Sequence, residues 1–480
     1  MVFSSIGFLF FFLPALLIVY YIVPRRYREV RNFVLLGFSL FFYAYGGPSF
    51  LILMLVSIAI NYICGLFVAE GHSAATRRFF LAAAVVLGLG LLGWFKYSRF
   101  FAETLNSLGT GLPVPEVTLP IGISFFTFHG LSYIIDVYRG TAKPMKNPLR
   151  IALYISLFPQ LVAGPIVRYA TVSDKLGSRT ENITDFSEGA LRFVFGLAKK
   201  MLLANTLGIV ADAAFGTSSG AMTASLAWLG ALAYTGQIYF DFSAYSDMAL
   251  GLGRMFGFHF LENFNYPYVA KSVTEFWQRW HISLTSWFRD YVYIPLGGNR
   301  CSRLINIRNI VLVWFLTGFW HGAAWNFILW GLWFCVLLLG EKFIWGRVFE
   351  KAPNPVRHVY ALLIIVLGWV LFRSDSLLQC VQYLGAMFGA GGSAAGGSAQ
   401  SMGGGQTLYL LKEYWPELLV SIVAALPVKN SLKGWLEKSK LLAAKHLLLW
   451  GPRLLSLVLL CFSYLKLVVG SFNPFIYFRF

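Results

Sequence analysis

The sequence predicts an all-α fold, a polytopic bundle of helices embedded in a membrane. Three observations carry this expectation. Of 480 residues, 58% are hydrophobic and 12% are charged, and the mean hydropathy is +0.65. A water-soluble domain gives about a quarter of its residues to charge, so lipid is the expected main solvent. Apolar runs long enough to span a bilayer, or nearly so, recur from end to end. Finally, the net charge of +18 gathers in short connections between those runs, as the positive-inside rule describes. That placement argues against nucleic acid as the partner of this basic chain.

In chain order the runs lie at 2–23, 32–46, 49–69, 79–95, 119–137, 151–167, 187–215, 223–240, 243–260, 307–320, 322–345, 357–373, 407–428 and 447–470. Those near 32–46, 151–167 and 307–320 are short, and are expected to be tilted, re-entrant or paired into broken helices inside protein. The expected count of full spans is therefore about ten to twelve. Residues 2–23 lack a basic leader and a small-residue cleavage site, which favours a retained span over a signal peptide. The segment PRRYREVR (Pro24–Arg31) follows and is expected in the cytoplasm, with Met1 outside. Two further cytoplasmic candidates are the loop around Arg139, Lys143, Lys146 and Arg150 and the loop around Arg300, Arg303 and Arg308.

The stretch 389–405 is rich in Gly, Ser and Ala and reads as a flexible loop, and Lys429–Lys433 reads as a solvated basic connection. Residues 1–480 thus read as a single membrane-embedded domain with a histidine-bearing core at about 119–345 and an aromatic tail at 471–480. The five cysteines are scattered without a CxxC pair, so structural thiols are expected rather than disulfides, and no metal site. There is no P-loop and no dinucleotide-binding motif in a strand-turn-helix setting.

Two stretches break the apolar rule. Thr274–Arg300 holds Glu275, Arg279, His281, Arg289 and Asp290 among aromatic residues. At helical spacing Trp277, Trp280, His281, Leu284 and Phe288 share one face, and Glu275 pairs with Arg279 on another. A membrane-surface amphipathic helix accounts for the charges but not for a histidine among tryptophans. In Val313–Phe334, His321 lies between two apolar runs beside Gly318, Gly322, Trp320 and Trp325. Charged groups at mid-membrane cost ~2.5–3.5 kcal/mol on insertion scales, so polar groups there face cavities and act. Imidazole titrates near neutrality and accepts a proton from a hydroxyl; a histidine bonded to a neighbouring helix is the alternative. His129 and His259 read as core histidines, and His72, His358 and His446 as solvated. Asp241 and Asp247 are interior carboxylates expected to pair with basic residues, or else to line the site.

These residues and their surroundings resemble the membrane-bound O-acyltransferases. The similarity is to the branch of alginate O-acetyltransferase, peptidoglycan O-acetyltransferase and the teichoic-acid D-alanyl exporter. Matching stretches include Leu119–Phe128, Leu131–Gly140, Leu161–Arg168, YFDFSAYSDMALGLG and FWQRWHISLTSWFRDYVYIPLGGNR, and the resemblance runs from Met1 to about Arg373. It implies a ring of helices around a transmembrane tunnel, with His321 at its waist and His281 as a second polar residue. It further implies an acyl thioester entering from the cytoplasm, acetyl-CoA or alternatively a carrier-protein thioester as in D-alanylation, and an acceptor entering from outside the bacterial cytoplasmic membrane.

On that basis His321 is expected to act as general base toward a hydroxyl. His281 is expected to orient the hydroxyl or to hydrogen-bond the thioester carbonyl. The expected end product is an O-acetylated extracytoplasmic polysaccharide, alginate-like or peptidoglycan. No segment outside the apolar runs is long enough to bind a polymer, so a separate serine esterase-like (SGNH) transferase is the expected partner. The tail Ser471–Phe480 reads either as an interfacial anchor or as something more. FIYFRF resembles the tail of the small partner of the D-alanyl exporter, which makes Tyr477 a candidate acyl carrier. The alternatives are D-alanyl transfer to teichoic acid and, from another class, a membrane transporter or flippase.

Overall fold

The computed structural model describes residues 1–390, 398–439, 442–470, 473, 475 and 476. The described residues form helices joined by turns and loops, with no strand among them. Six of the helices are long and apolar enough to cross a membrane: Pro48–Val68, Ala74–Asn106, Ile183–Phe215, Trp325–Phe349, Asn354–Arg373 and His446–Val469. This is fewer than the apolar runs in the sequence. Some runs fold into helices too short to count, such as Ile123–Tyr138 and Pro148–Ser156. Others carry polar side chains inward, as in Ala224–Met255, where Gln237 and Asp241 are buried. Large apolar side chains, among them Phe41, Val86, Val336 and Leu457, stay exposed on the helices, as a lipid-facing surface requires.

Contacts divide the chain into two units. The first comprises Met1–Phe193 with Ser246–Glu262. Its core is aromatic: Phe8, Phe12, Phe42 and Phe158 pack ring against ring at 5.4–6.2 Å. The helix Pro48–Val68 opens on proline after Gly47, whose φ of 155° favours glycine. Part of the expected cytoplasmic loop turns inward. Arg25 and Arg26 remain exposed, but Arg28 and Arg31 reach Glu181, which is 2% exposed. Arg179 joins them at 3.7 Å, and Tyr20 donates to the same carboxylate at 2.5 Å. Burial raises the pKa of Glu181, but the hydrogen bonds from Arg28 and Tyr20 and the nearby guanidinium charges outweigh it and bring the pKa down to about 2.

The second unit comprises Val194–Tyr245 with Asn263–Phe480. Its centre is the hairpin of Arg303–His321 and Trp325–Gly340, packed against Asn354–Arg373. Ser302 caps the first helix by accepting from the N–H of Ile305 at 3.4 Å. Close approach of the two helices depends on glycine: a Cβ on Gly318 would lie 2.4 Å from the Phe327 carbonyl oxygen, and one on Gly331 would lie 2.4 Å from that of Trp314. The helix Ser398–Ala425 begins inside the stretch expected as a loop; residues 391–397 lie outside the described residues.

Candidate active site

His321 is the last residue of Arg303–His321. Gly322 breaks the helix with an extended backbone, and a Cβ there would meet the Phe327 ring at 2.2 Å. The imidazole is thereby fixed where the hairpin turns, 8% exposed. It is caged by aromatic edges: the rings of Trp320, Trp330 and Phe372 lie 5.0, 5.1 and 5.4 Å away, each steeply inclined. A cavity of about 20 Å³ opens in front of it, lined also by Ile238, Phe242, Trp280, Trp369 and Ile476.

His281 is held differently from the expectation. The stretch Thr274–Arg300 does not run as one helix. Val273–Arg279 ends at Trp280, whose backbone is extended, and Ile282–Phe288 starts after His281, a left-handed residue with φ 45° and ψ 50°. Such a conformation costs roughly 1–2 kcal/mol for a residue with a side chain and marks functional sites when its surroundings enforce it. Here the segment 263–265 enforces it. Ile282 N–H donates to the Asn263 carbonyl at 3.0 Å, and Asn265 N–H donates to that of Arg279 at 2.9 Å. The Asn263 Oδ1 accepts from Ser283 N–H at 3.1 Å and from Ser283 Oγ at 2.8 Å. The i,i+4 pair does form, with Arg279 2.9 Å from Glu275.

The break sets His281 against the same indole that His321 touches. The two imidazoles flank Trp320, whose ring lies 6.1 Å from that of His281 and 5.0 Å from that of His321. Phe242 packs edge-on against His281 at 4.6 Å and also lines the His321 cavity. A buried imidazole in an aromatic cavity, with a second imidazole packed against the same Trp320, offers what acyl transfer needs: groups that exchange protons, and walls that exclude water from a thioester.

Other candidates resolve one by one. Asp241 pairs with Lys200 at 2.7 Å and Asp247 with Arg192 at 2.8 Å, as expected of interior carboxylates. His129 is fully buried, in line with a core histidine. His259, read as a core residue, is instead half-exposed and 3.2 Å from Asp185, because Asp185 offers it a charged partner at the surface. Tyr477 lies outside the described residues. Sequence reasoning did not single out Asn263, Trp369, Phe372 or Ile476; the last two are apolar residues, and Ile476 lies in the tail whose one candidate was Tyr477.

The sequence profile of the membrane-bound O-acyltransferase family matches residues 121–374, which include both histidines and most of the cavity lining. The chain belongs to this family. It is an acyltransferase, and a multi-pass membrane protein, so the transporter alternative falls away. Among its relatives, the probable alginate O-acetylase of Azotobacter vinelandii is 40% identical, with all of both chains covered. The peptidoglycan O-acetyltransferase of Helicobacter pylori is 34% identical over 82% of this chain and 80% of its own. The teichoic acid D-alanyltransferase of Bacillus subtilis is 30% identical over 52% of this chain and 67% of its own.

Proposed function

We propose that this acyltransferase carries acetyl groups from acetyl-CoA on the cytoplasmic side of a bacterial inner membrane to the O-acetylation of an extracytoplasmic polysaccharide, alginate-like before peptidoglycan. The observation that carries the reading is the His321 cavity, buried and aromatic, with a second imidazole, His281, against the Trp320 that His321 also touches. Full-length likeness to a probable alginate O-acetylase supports the acetyl group and the polymer class. The D-alanyl reading has support over only 52% of the chain.

In this mechanism a hydroxyl oxygen attacks the thioester carbonyl carbon while His321 takes the hydroxyl proton. The tetrahedral adduct collapses, the C–S bond breaks, and the departing thiolate recovers the proton from the imidazolium. His281 orients the hydroxyl. Tyr477 is the proposed first acceptor, its aryl ester being readily passed on to the serine of an extracytoplasmic SGNH-type partner. The test uses purified protein in lipid nanodiscs with acetyl-CoA. Free thiol should be released in the wild type and not in His321→Ala, and Tyr477→Phe should stop acetylation of polymer in cells. Wild-type thiol release from His321→Ala would overturn the assignment, and acetylated polymer in cells lacking every SGNH partner would remove the relay.

A further inference from the structure

Lys200 and Asp241 form one of the most deeply buried ion pairs in the second unit, with side chains 3% and 2% exposed. A buried pair recovers its desolvation cost only when its remaining donors and acceptors are also satisfied. The second oxygen of Asp241 is satisfied from a distant part of the chain: Oδ2 accepts the main-chain N–H of Ile476 at 2.8 Å. Neighbouring groups engage the same segment. Asn205 Nδ2 donates to Asn473 Oδ1 at 3.3 Å, and the Phe475 ring stacks on Tyr245 at 5.0 Å and 29°. The Lys200 ammonium also lies 5.9 Å from the Phe475 ring. Lys200 itself stands in a π-helical segment, Lys199–Ala204, a distortion that often marks functional sites.

The consequence reaches the active site, because Ile476 is one wall of the His321 cavity. The cavity is small, about 20 Å³, and Ile476 closes part of it. A wall that yields would widen it for an arriving donor. Phe242, Trp330 and Trp369 sit within helices packed into the unit. Ile476 instead stands outside those helices, anchored by its main-chain hydrogen bond to Asp241, with Phe475 stacked on Tyr245.

We propose that the Lys200–Asp241 pair is a latch that seats Ile476 as a displaceable plug at the His321 cavity, with Asp241 the positioning residue. The inference rests on the proposed role of His321, but its test does not require turnover. The full chain in nanodiscs is treated with diethyl pyrocarbonate, and modification of His321 is quantified by mass spectrometry. Ile476→Pro removes the donated N–H and keeps an apolar side chain. It should raise His321 labelling about tenfold or more, as the loss of a hydrogen bond to a charged acceptor implies. Ile476→Val keeps the N–H and should label as the wild type does. The double variant Lys200→Met/Asp241→Leu removes the latch without leaving a lone buried charge and should match Ile476→Pro. Wild-type labelling in both Ile476→Pro and the double variant would overturn the latch, even in a protein that transfers acetyl groups normally. Raised labelling in a protein that never releases thiol would support the latch and overturn the acetyltransferase reading instead.

Discussion

The imidazole Nδ1 of His281 lies 3.2 Å from Oδ1 of Asn263. The same oxygen accepts from Ser283 N–H, which can only donate. That fixes the amide with its oxygen toward both neighbours, and His281 must therefore carry its proton on Nδ1. Its Nε2 is then the acceptor nitrogen, suited to receiving a hydroxyl's hydrogen bond and unsuited, while neutral, to donating one to a thioester carbonyl. That tautomer is compatible with the proposed orienting role and not with donation from a neutral imidazole to a thioester carbonyl.

A double-mutant cycle follows from this pairing. Asn263→Ala should lower the rate of thiol release nearly as much as His281→Ala, with the effect in kcat more than in KM. The double variant should be little worse than either single one, since the two residues act as a unit. Fully additive losses would show that Asn263 does not set the His281 tautomer.

The backbone at His281 makes a separate prediction about stability. Its φ of 45° is tolerated by glycine and resisted by alanine. His281→Gly should therefore unfold at a higher temperature in detergent than His281→Ala, by an amount equivalent to about 1 kcal/mol. A reversed order would mean that the break at Trp280–His281 relaxes once the imidazole is gone.

How far the site was legible in the sequence depended on whether the signal was local. His321 was legible because its glycines and tryptophans are its neighbours in the chain as well as in space. The Glu275–Arg279 pair was legible for the same reason. The helix break at His281 was not, because the bonds that force it come from Asn263, a residue in an unremarkable loop 18 positions earlier. Ile476 escaped notice because its anchor is a main-chain N–H, which leaves no mark on residue type. The inward turn of Arg28 and Arg31 was hidden in the same way, since nothing local to PRRYREVR points to Glu181. The helical class was read correctly from composition, whereas fewer of the described helices than apolar runs are long and apolar throughout, because some are short and others turn polar side chains inward.

Glu181 sets a pH dependence in the first unit. Its pKa falls from an ordinary 4.5 to about 2 in the folded chain. A depressed carboxyl contributes stability that is present above the unfolded value and lost as pH falls toward the folded one. Glu181→Gln should destabilise the protein at pH 7 by about 3–5 kcal/mol, the cost of breaking a buried pair. The gap between variant and wild type should narrow between about pH 4.5 and pH 2. Thermal unfolding followed across that range checks both statements, and a gap independent of pH would show that the cluster is held by packing alone.

The final prediction links helix packing to His321. Gly331 faces Gly318 across the hairpin, and a Cβ on it would also lie 3.1 Å from the Gly318 Cα, besides the clash with Trp314. Neither obstacle is a flexible side-chain end, so the helices themselves must part. Gly331→Ala should therefore destabilise the protein by about 1–3 kcal/mol, as overpacking does. It should also lower activity, because Trp330 is the adjacent residue and forms part of the His321 cage. Gly37 provides the control. It lies within the helix Arg28–Ala44, and a Cβ there meets nothing within 4 Å, so Gly37→Ala should be neutral or stabilising by roughly 0.4–1 kcal/mol. Measured side by side in the same detergent, equal unfolding temperatures for the two variants would mean that the hairpin tolerates separation. Loss of activity in Gly331→Ala would then have to arise elsewhere than in the position of His321.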